Sequence, residues 1–134
     1  LLEPKWNSTD WAFLEGNGEF SIDFESSNGF SFFYGLIDTV IEAKFYHGTV
    51  DITEDVMNTA GTQITWSRDS GIPAEDNSWS PVFVDGQKNK VHLISSDMGS
   101  EWLNARSVTF RVEAIIPLGE ENYLRESEEL QFNL

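Results

Sequence analysis

Between Ser107 and Ile116 apolar and polar residues alternate almost without a break. Val108, Phe110, Val112, Ala114 and Ile116 fall on one side of an extended chain, and Ser107, Thr109, Arg111, Glu113 and Ile115 on the other. Side chains of a strand project to opposite faces with period two, whereas a helix would scatter these residues around its circumference. The stretch therefore predicts a strand with one face in a core and one face in water. Ile115 is its exception, an apolar residue on the wet face just before Pro117.

The same period recurs along the chain. Glu19 to Glu25 sends Phe20, Ile22 and Phe24 inward, and Leu36 to His47 does so with Ile37, Thr39, Ile41, Ala43 and Phe45. Asn28-Gly29, a strong hairpin dipeptide, predicts a turn returning into Phe30, Phe32 and Tyr34. Further strands are expected at Trp11 to Leu14, Thr49 to Ile52 and Thr62 to Trp66. Trp79 to Val84 and Lys90 to Ile94 read as a hairpin around Asp85-Gly86. Pro117 and Gly119 are expected to stop the Ser107–Ile116 strand, and Leu130, Phe132 and Leu134 restore the alternation at the end of the chain. Thr53 to Asn58 reads as a helical turn, with a capping-type residue first and acids in its first turn. Glu101 to Ala105 fits a helical turn or a short strand, and Arg68 to Ser78 a long polar loop.

About eight to ten short strands between Gly, Asn and Asp turns define an all-β chain, a two-sheet β-sandwich of immunoglobulin-like or jelly-roll type. The 134 residues are expected to form one domain. Residues 1–10 are expected to be an irregular arm, and residues 129–134 an edge strand or one exchanged with a neighbour.

Charge narrows the partners. Asp and Glu number 23 against 8 Lys and Arg, a formal net charge of −15. Such a chain repels nucleic acid and anionic lipid, both of which bind through clustered cations. The acidity has three readings: solubility, oxygen ligands for Ca²⁺, or adaptation to high salt. With no cysteine, thiolate chemistry, Cys-based zinc sites and disulfides are ruled out. No stretch has the length and apolarity of a membrane span. The start Leu1-Leu2-Glu3-Pro4 suggests a removed signal peptide, and Asn7-Ser8-Thr9 is a glycosylation sequon at Asn7. Both lead to the expectation of a secreted or cell-surface protein.

Candidate chemistry is sparse. His47 and His92 lie in strand-patterned surroundings, outside any nucleophile or metal motif, and a pair of carboxylates means little among so many acids. A non-enzyme is expected. The acids cluster in loops, with Asp51, Glu54 and Asp55 in one, Asp69, Glu75 and Asp76 in a second, and Asp97 and Glu101 in a third. Ca²⁺ takes six to eight oxygens, which converging loops of a sandwich can supply, although solvated loop charge is the plainer reading. None of the clusters has the EF-hand spacing. Trp79 and Trp102 border polar loops, where an exposed indole can hold a sugar ring or, more simply, seal the end of a sandwich. Leu130, Phe132 and Leu134, with Ile115, are the residues expected to mediate assembly with a homo-oligomeric partner or a neighbouring subunit by strand addition. The resulting expectation is a structural or adhesive surface module, self-assembling into filaments and stabilised by calcium. A carbohydrate-binding module is the alternative, and a viral or phage structural protein a second one.

Overall fold

The computed structural model describes residues 19–33 and 36–134. Eight strands among them build two antiparallel sheets packed face to face, the all-β sandwich expected from the alternation. The first sheet contains β1 (Phe20–Ser26), β2 (Asp38–His47), β5 (Val82–Val84) and β6 (Gln87–Ile94) in the order β1-β2-β6-β5, with the two-residue β3 (Val50–Asp51) hooked onto β2. The second is β4 (Gln63–Asp69), β7 (Ser107–Gly119) and β8 (Asn122–Asn133) in the order β4-β7-β8. Three short α-helical segments, α1 (Thr53–Met57), α2 (Pro73–Asp76) and α3 (Trp102–Ala105), and a 3-10 turn at Ser95–Met98 decorate them.

β7 is the centre of its sheet. It pairs with β4 from Thr109↔Asp69 to Ile115↔Gln63, and with β8 from Ser107↔Asn133 to Gly119↔Asn122. Its inner row, Val108, Phe110, Val112, Ala114 and Ile116, is at most 1 % exposed. Opposite lie Ile22 of β1, Ile41, Ala43 and Phe45 of β2, and Val91 and Leu93 of β6, all in one buried cluster. A run of ring contacts crosses this core. Phe32 meets Phe132 at 6.1 Å, Phe132 meets Phe110 edge-on at 5.9 Å, and Phe110 meets Trp79 at 5.3 Å. Tilted and edge-to-face pairs are the arrangements the ring quadrupole favours.

Several sequence expectations are corrected. The Ser26–Gly29 turn forms, with Gly29 at φ 77°, but residues 30–33 do not return as a strand. Thr39 holds the turn instead: its hydroxyl pairs with Ser26 Oγ at 2.6 Å and accepts from the Asn28 amide at 3.0 Å. The hairpin partner of β1 is therefore β2, and Phe32 is released to plug the core against Phe132. β7 does not stop at Pro117 but continues to Gly119. Pro117 lies beyond the last β4 pairing and at a register shift with β8, where a missing N–H donor is tolerated. The strand expected at Trp11 to Leu14, the arm 1–10, and Tyr34 lie outside the described residues.

The C-terminal strand is an edge strand of its sheet. β8 folds back along β7 of its own sheet, and Phe132 is 1 % exposed within its own core. Ile115 on the outer face is half-buried, opposite Arg125 of β8 and Gln63 of β4.

The β7–β8 hairpin is closed by Glu120 and Glu121 at φ 52° and 64°. Two successive left-handed residues make the turn that best matches strand twist, but it is one that Asn-Gly fills far more easily. Replacing Glu120 by Asn and Glu121 by Gly together should raise stability by about 1 kcal/mol in urea unfolding. Val112→Asp puts a carboxylate at a fully buried position and should abolish folding, as read by circular dichroism. Ile115→Ser should cost less than about 1 kcal/mol in the same measurement.

Candidate ligand groove and loop latch

After the pair Glu42↔Lys90, β2 and β6 part company. The unpaired side of β2 is completed largely by side chains. Asn89, 2 % exposed, donates Nδ2 to the Ala43 carbonyl at 3.1 Å. The Phe45 amide donates to the Thr53 hydroxyl at 2.9 Å, and the Phe45 carbonyl accepts from the Ile52 amide at 2.8 Å. An unpaired backbone group out of water costs about 1–3 kcal/mol, which explains why polar side chains occupy the fork. Thr53 is thus spent on β2 rather than capping α1, whose N-cap position is Ile52.

Over this fork lies a groove of about 770 Å³, open to solvent. One wall is the outer face of β2 with Glu42 and Lys44. A second is Asp51, Thr53, Glu54 and Asn58 around α1, and a third is Gln87, Lys88 and Asn89 of β6. Met57 and Ile64 supply apolar surface. Below it, Trp66 Nε1 donates to the Lys88 carbonyl at 2.8 Å and ties β4 to β6. Lys44 lies 3.5 Å from Asp51 and 3.7 Å from Glu25. Desolvation pulls the Lys44 pKa down, but Glu25, Glu42 and Asp51 outweigh it and the net shift is upward. Hydrogen bonds from Thr53, side chain and backbone, hold Asp51 below the usual carboxylate value, with Lys44 adding to them. The side chains of Glu42, Glu54, Asn58, Gln87 and Lys88 make no hydrogen bond to another described residue.

The second acidic loop works differently. Arg68 Nε and Asp76 Oδ1 are 2.7 Å apart, with side chains 6 % and 10 % exposed. Asp76 also accepts from the Ser70 hydroxyl at 2.7 Å and the Ser70 amide at 2.9 Å. Arg68 Nη1 reaches the Asp97 carbonyl at 3.0 Å. The Asp97 carboxylate takes the Ile94 amide at 2.8 Å and Trp79 Nε1 at 3.0 Å. Glu75 accepts from the hydroxyl and amide of Ser100, which hold its pKa below the usual value. Gly99 is required between these loops: at φ 92°, a Cβ there would lie 2.9 Å from Ser70 Cβ. Together these contacts latch the β4–β5 loop to the segment after β6.

Asp51 and Glu54 enter the groove, while Asp55 is half-buried on α1. Asp69 accepts from the Gly71 amide, and Glu75 and Asp76 belong to the latch. Among the described residues no three His, Asp or Glu side chains are grouped to hold a metal ion. Asp51, Glu54, Asp55, Asp69, Glu75 and Asp76, the residues expected to hold calcium, are thus not gathered into such a group. The oxygens of Asp76 and Glu75, and those of Asp51 in part, already serve Arg68, Ser70, Ser100, Thr53 and Lys44. The sugar platform expected of Trp79 and Trp102 is corrected. Trp102 is 6 % exposed in the core, and Trp79 is half-buried between Phe110 and Arg68. Asn7 lies outside the described residues.

The groove residues Glu42, Lys44, Thr53, Asn58, Gln87, Lys88 and Asn89 were not singled out by sequence. One signal was present: Asn89 shares the inward phase of Val91 and Leu93, a polar residue in a core register. Comparison with known protein families, with curated proteins and with solved structures finds no match to this chain.

Burial raises the Asp76 pKa, but the hydrogen bonds from Ser70 and Arg68 outweigh it, and the carboxyl is held below its ordinary value. A depressed folded pKa gives stability that is complete above the unfolded value of about 3.9 and is lost as pH falls through the folded value. Asp76→Asn should cost about 3–5 kcal/mol at pH 7 by stranding Arg68. In urea unfolding, the gap between wild type and variant should narrow below about pH 4.

Proposed function

We propose that this protein is a non-enzymatic structural or adhesive module of the secreted or cell-surface kind, which joins a second copy of itself by strand addition at β5. The observation that supports this reading is the set of exposed apolar residues beside the edge of that strand with which no other described strand pairs. Val82 of β5 is 60 % exposed, Ile94 of β6 43 % and Leu36, just before β2, 67 %. The register aligns Val82 with His92 and His92 with Val40 on the outer face, and places Ile94 across from Asp38. His92 and Asp38, paired at 2.7 Å, lie among these side chains, and the exposed apolar surface beside them is favourable to bury.

The other sheet ends are poorer candidates. β1 and β8 approach each other on one side of the sandwich, and β4 lies against β6 through Trp66 and Lys88. β8 also carries Glu126 and Glu128 on its inner row, opposite Ala114 and Val112, with Glu129 beside them. Inward-facing charge on an edge strand discourages a further strand from pairing, and it would meet a partner that is itself acidic. β5 has no acid among its three residues, and Lys88 and Lys90 stand on neighbouring β6.

Sedimentation velocity across a concentration series tests the reading. Wild type should associate reversibly, and Val82→Lys should stay monomeric with an unchanged melting temperature. A wild type that remains monomeric up to millimolar concentration overturns it.

A further inference from the structure

We propose that the groove between β2, β6 and α1 binds a neutral oligosaccharide. Its polar groups divide into those already committed and those available. Lys44 and Asp51 engage each other, and Thr53 is committed on both sides, accepting from the Phe45 amide and donating to Asp51. Available toward a ligand are two carboxylates (Glu42 and Glu54), two amides (Asn58 and Gln87) and the Lys88 ammonium.

This set mixes strong acceptors, a strong donor and two groups that do both. A sugar hydroxyl likewise donates and accepts at one oxygen, and so uses such a mixture fully. Met57 and Ile64 give the C–H face of a ring an apolar surface. The volume of about 770 Å³ lies within the usual range of about 300–1,000 Å³ for small-ligand sites.

Charge selects among saccharides. An acidic sugar would face Glu42 and Glu54 on a chain of net charge −15. A neutral sugar escapes that cost, and its hydroxyls can use the carboxylates, the amides and Lys88 together, whereas the ammonium of an amino sugar can only donate, to the carboxylates and amide oxygens. With no aromatic platform among the described residues of the groove, affinity is expected to be modest, in the millimolar range.

The fork supplies its own reporter. Trp66 Nε1–H is bonded to the carbonyl of Lys88 in the groove wall, so its indole resonance should respond to occupancy. The whole chain, labelled with ¹⁵N, is titrated with cellobiose, maltose, lactose and xylobiose, and in parallel with chitosan dimer and digalacturonate. The titration is repeated on Val82→Lys, so that self-association is removed from the readout. At least one neutral disaccharide should shift the Trp66 indole together with amides of residues 54–58 and 87–89, and should saturate. Glu54→Gln and Gln87→Ala should each weaken binding about tenfold at unchanged melting temperature. Silence across all neutral sugars, shifts confined to other surfaces, or binding of a charged disaccharide alone would overturn the proposal.

Discussion

Everything in this fold hangs on β7 being satisfied on both flanks while every second side chain leaves water. A strand can be buried only if its backbone donors and acceptors find partners, and β4 and β8 provide them along most of its length. The inner row is then free to be wholly apolar, and β1, β2 and β6 fold over it. Because the side-chain period is two, slipping β7 by one residue would turn Arg111 and Glu113 into the core and bring Phe110 and Val112 to the surface. The register of the whole sandwich is fixed by that penalty.

The polar residues divide between two ends of this frame. At one end Arg68, Asp76, Ser70 and Asp97 neutralise one another and sit against the aromatic run through Trp79 to Phe110, so acids that look like a cation site act as a clasp. At the other the β2–β6 fork leaves carboxylates and amides facing open space. The difference is one of supply: the first loop has an arginine and several hydroxyls within reach, whereas among the described residues Lys44 is the single cation engaged in the groove and it is already shared between Asp51 and Glu25.

Alternation made the strands legible before any coordinates were known. Phe20 to Phe24, Ile37 to Phe45, Ile64 with Trp66, and Val108 to Ile116 all face as their phase demands, because burial alone selects that pattern. Pairing was less legible. Asn28-Gly29 advertised a hairpin into Phe30, but Thr39 captures the turn from eleven residues away in sequence, and no local pattern carries that information. The tryptophans misled for a related reason: their polar neighbours in sequence are not their neighbours in space. Trp102 and Trp79 are covered by residues distant in the chain. The groove was hidden because its residues come from three separate segments, and only Asn89, out of place in an apolar row, betrayed it.

The fork between β2 and β6 has one more consequence. Elsewhere along β2, apart from the Val40 amide that donates to the Ser27 hydroxyl, the ladder to β1 and β6 is built from backbone, so the sheet is indifferent to which residue occupies a position so long as its side chain fits. Beside Ala43 and Phe45, part of the ladder is held by the Asn89 amide and the Thr53 hydroxyl. There the identity of a side chain is the hydrogen bond. Valine in place of Thr53 matches its shape yet removes the acceptor, and aspartate in place of Asn89 matches its size yet removes the donor. Two positions outside the hydrophobic pattern are thereby as restricted as any in the core, by bonding rather than by volume.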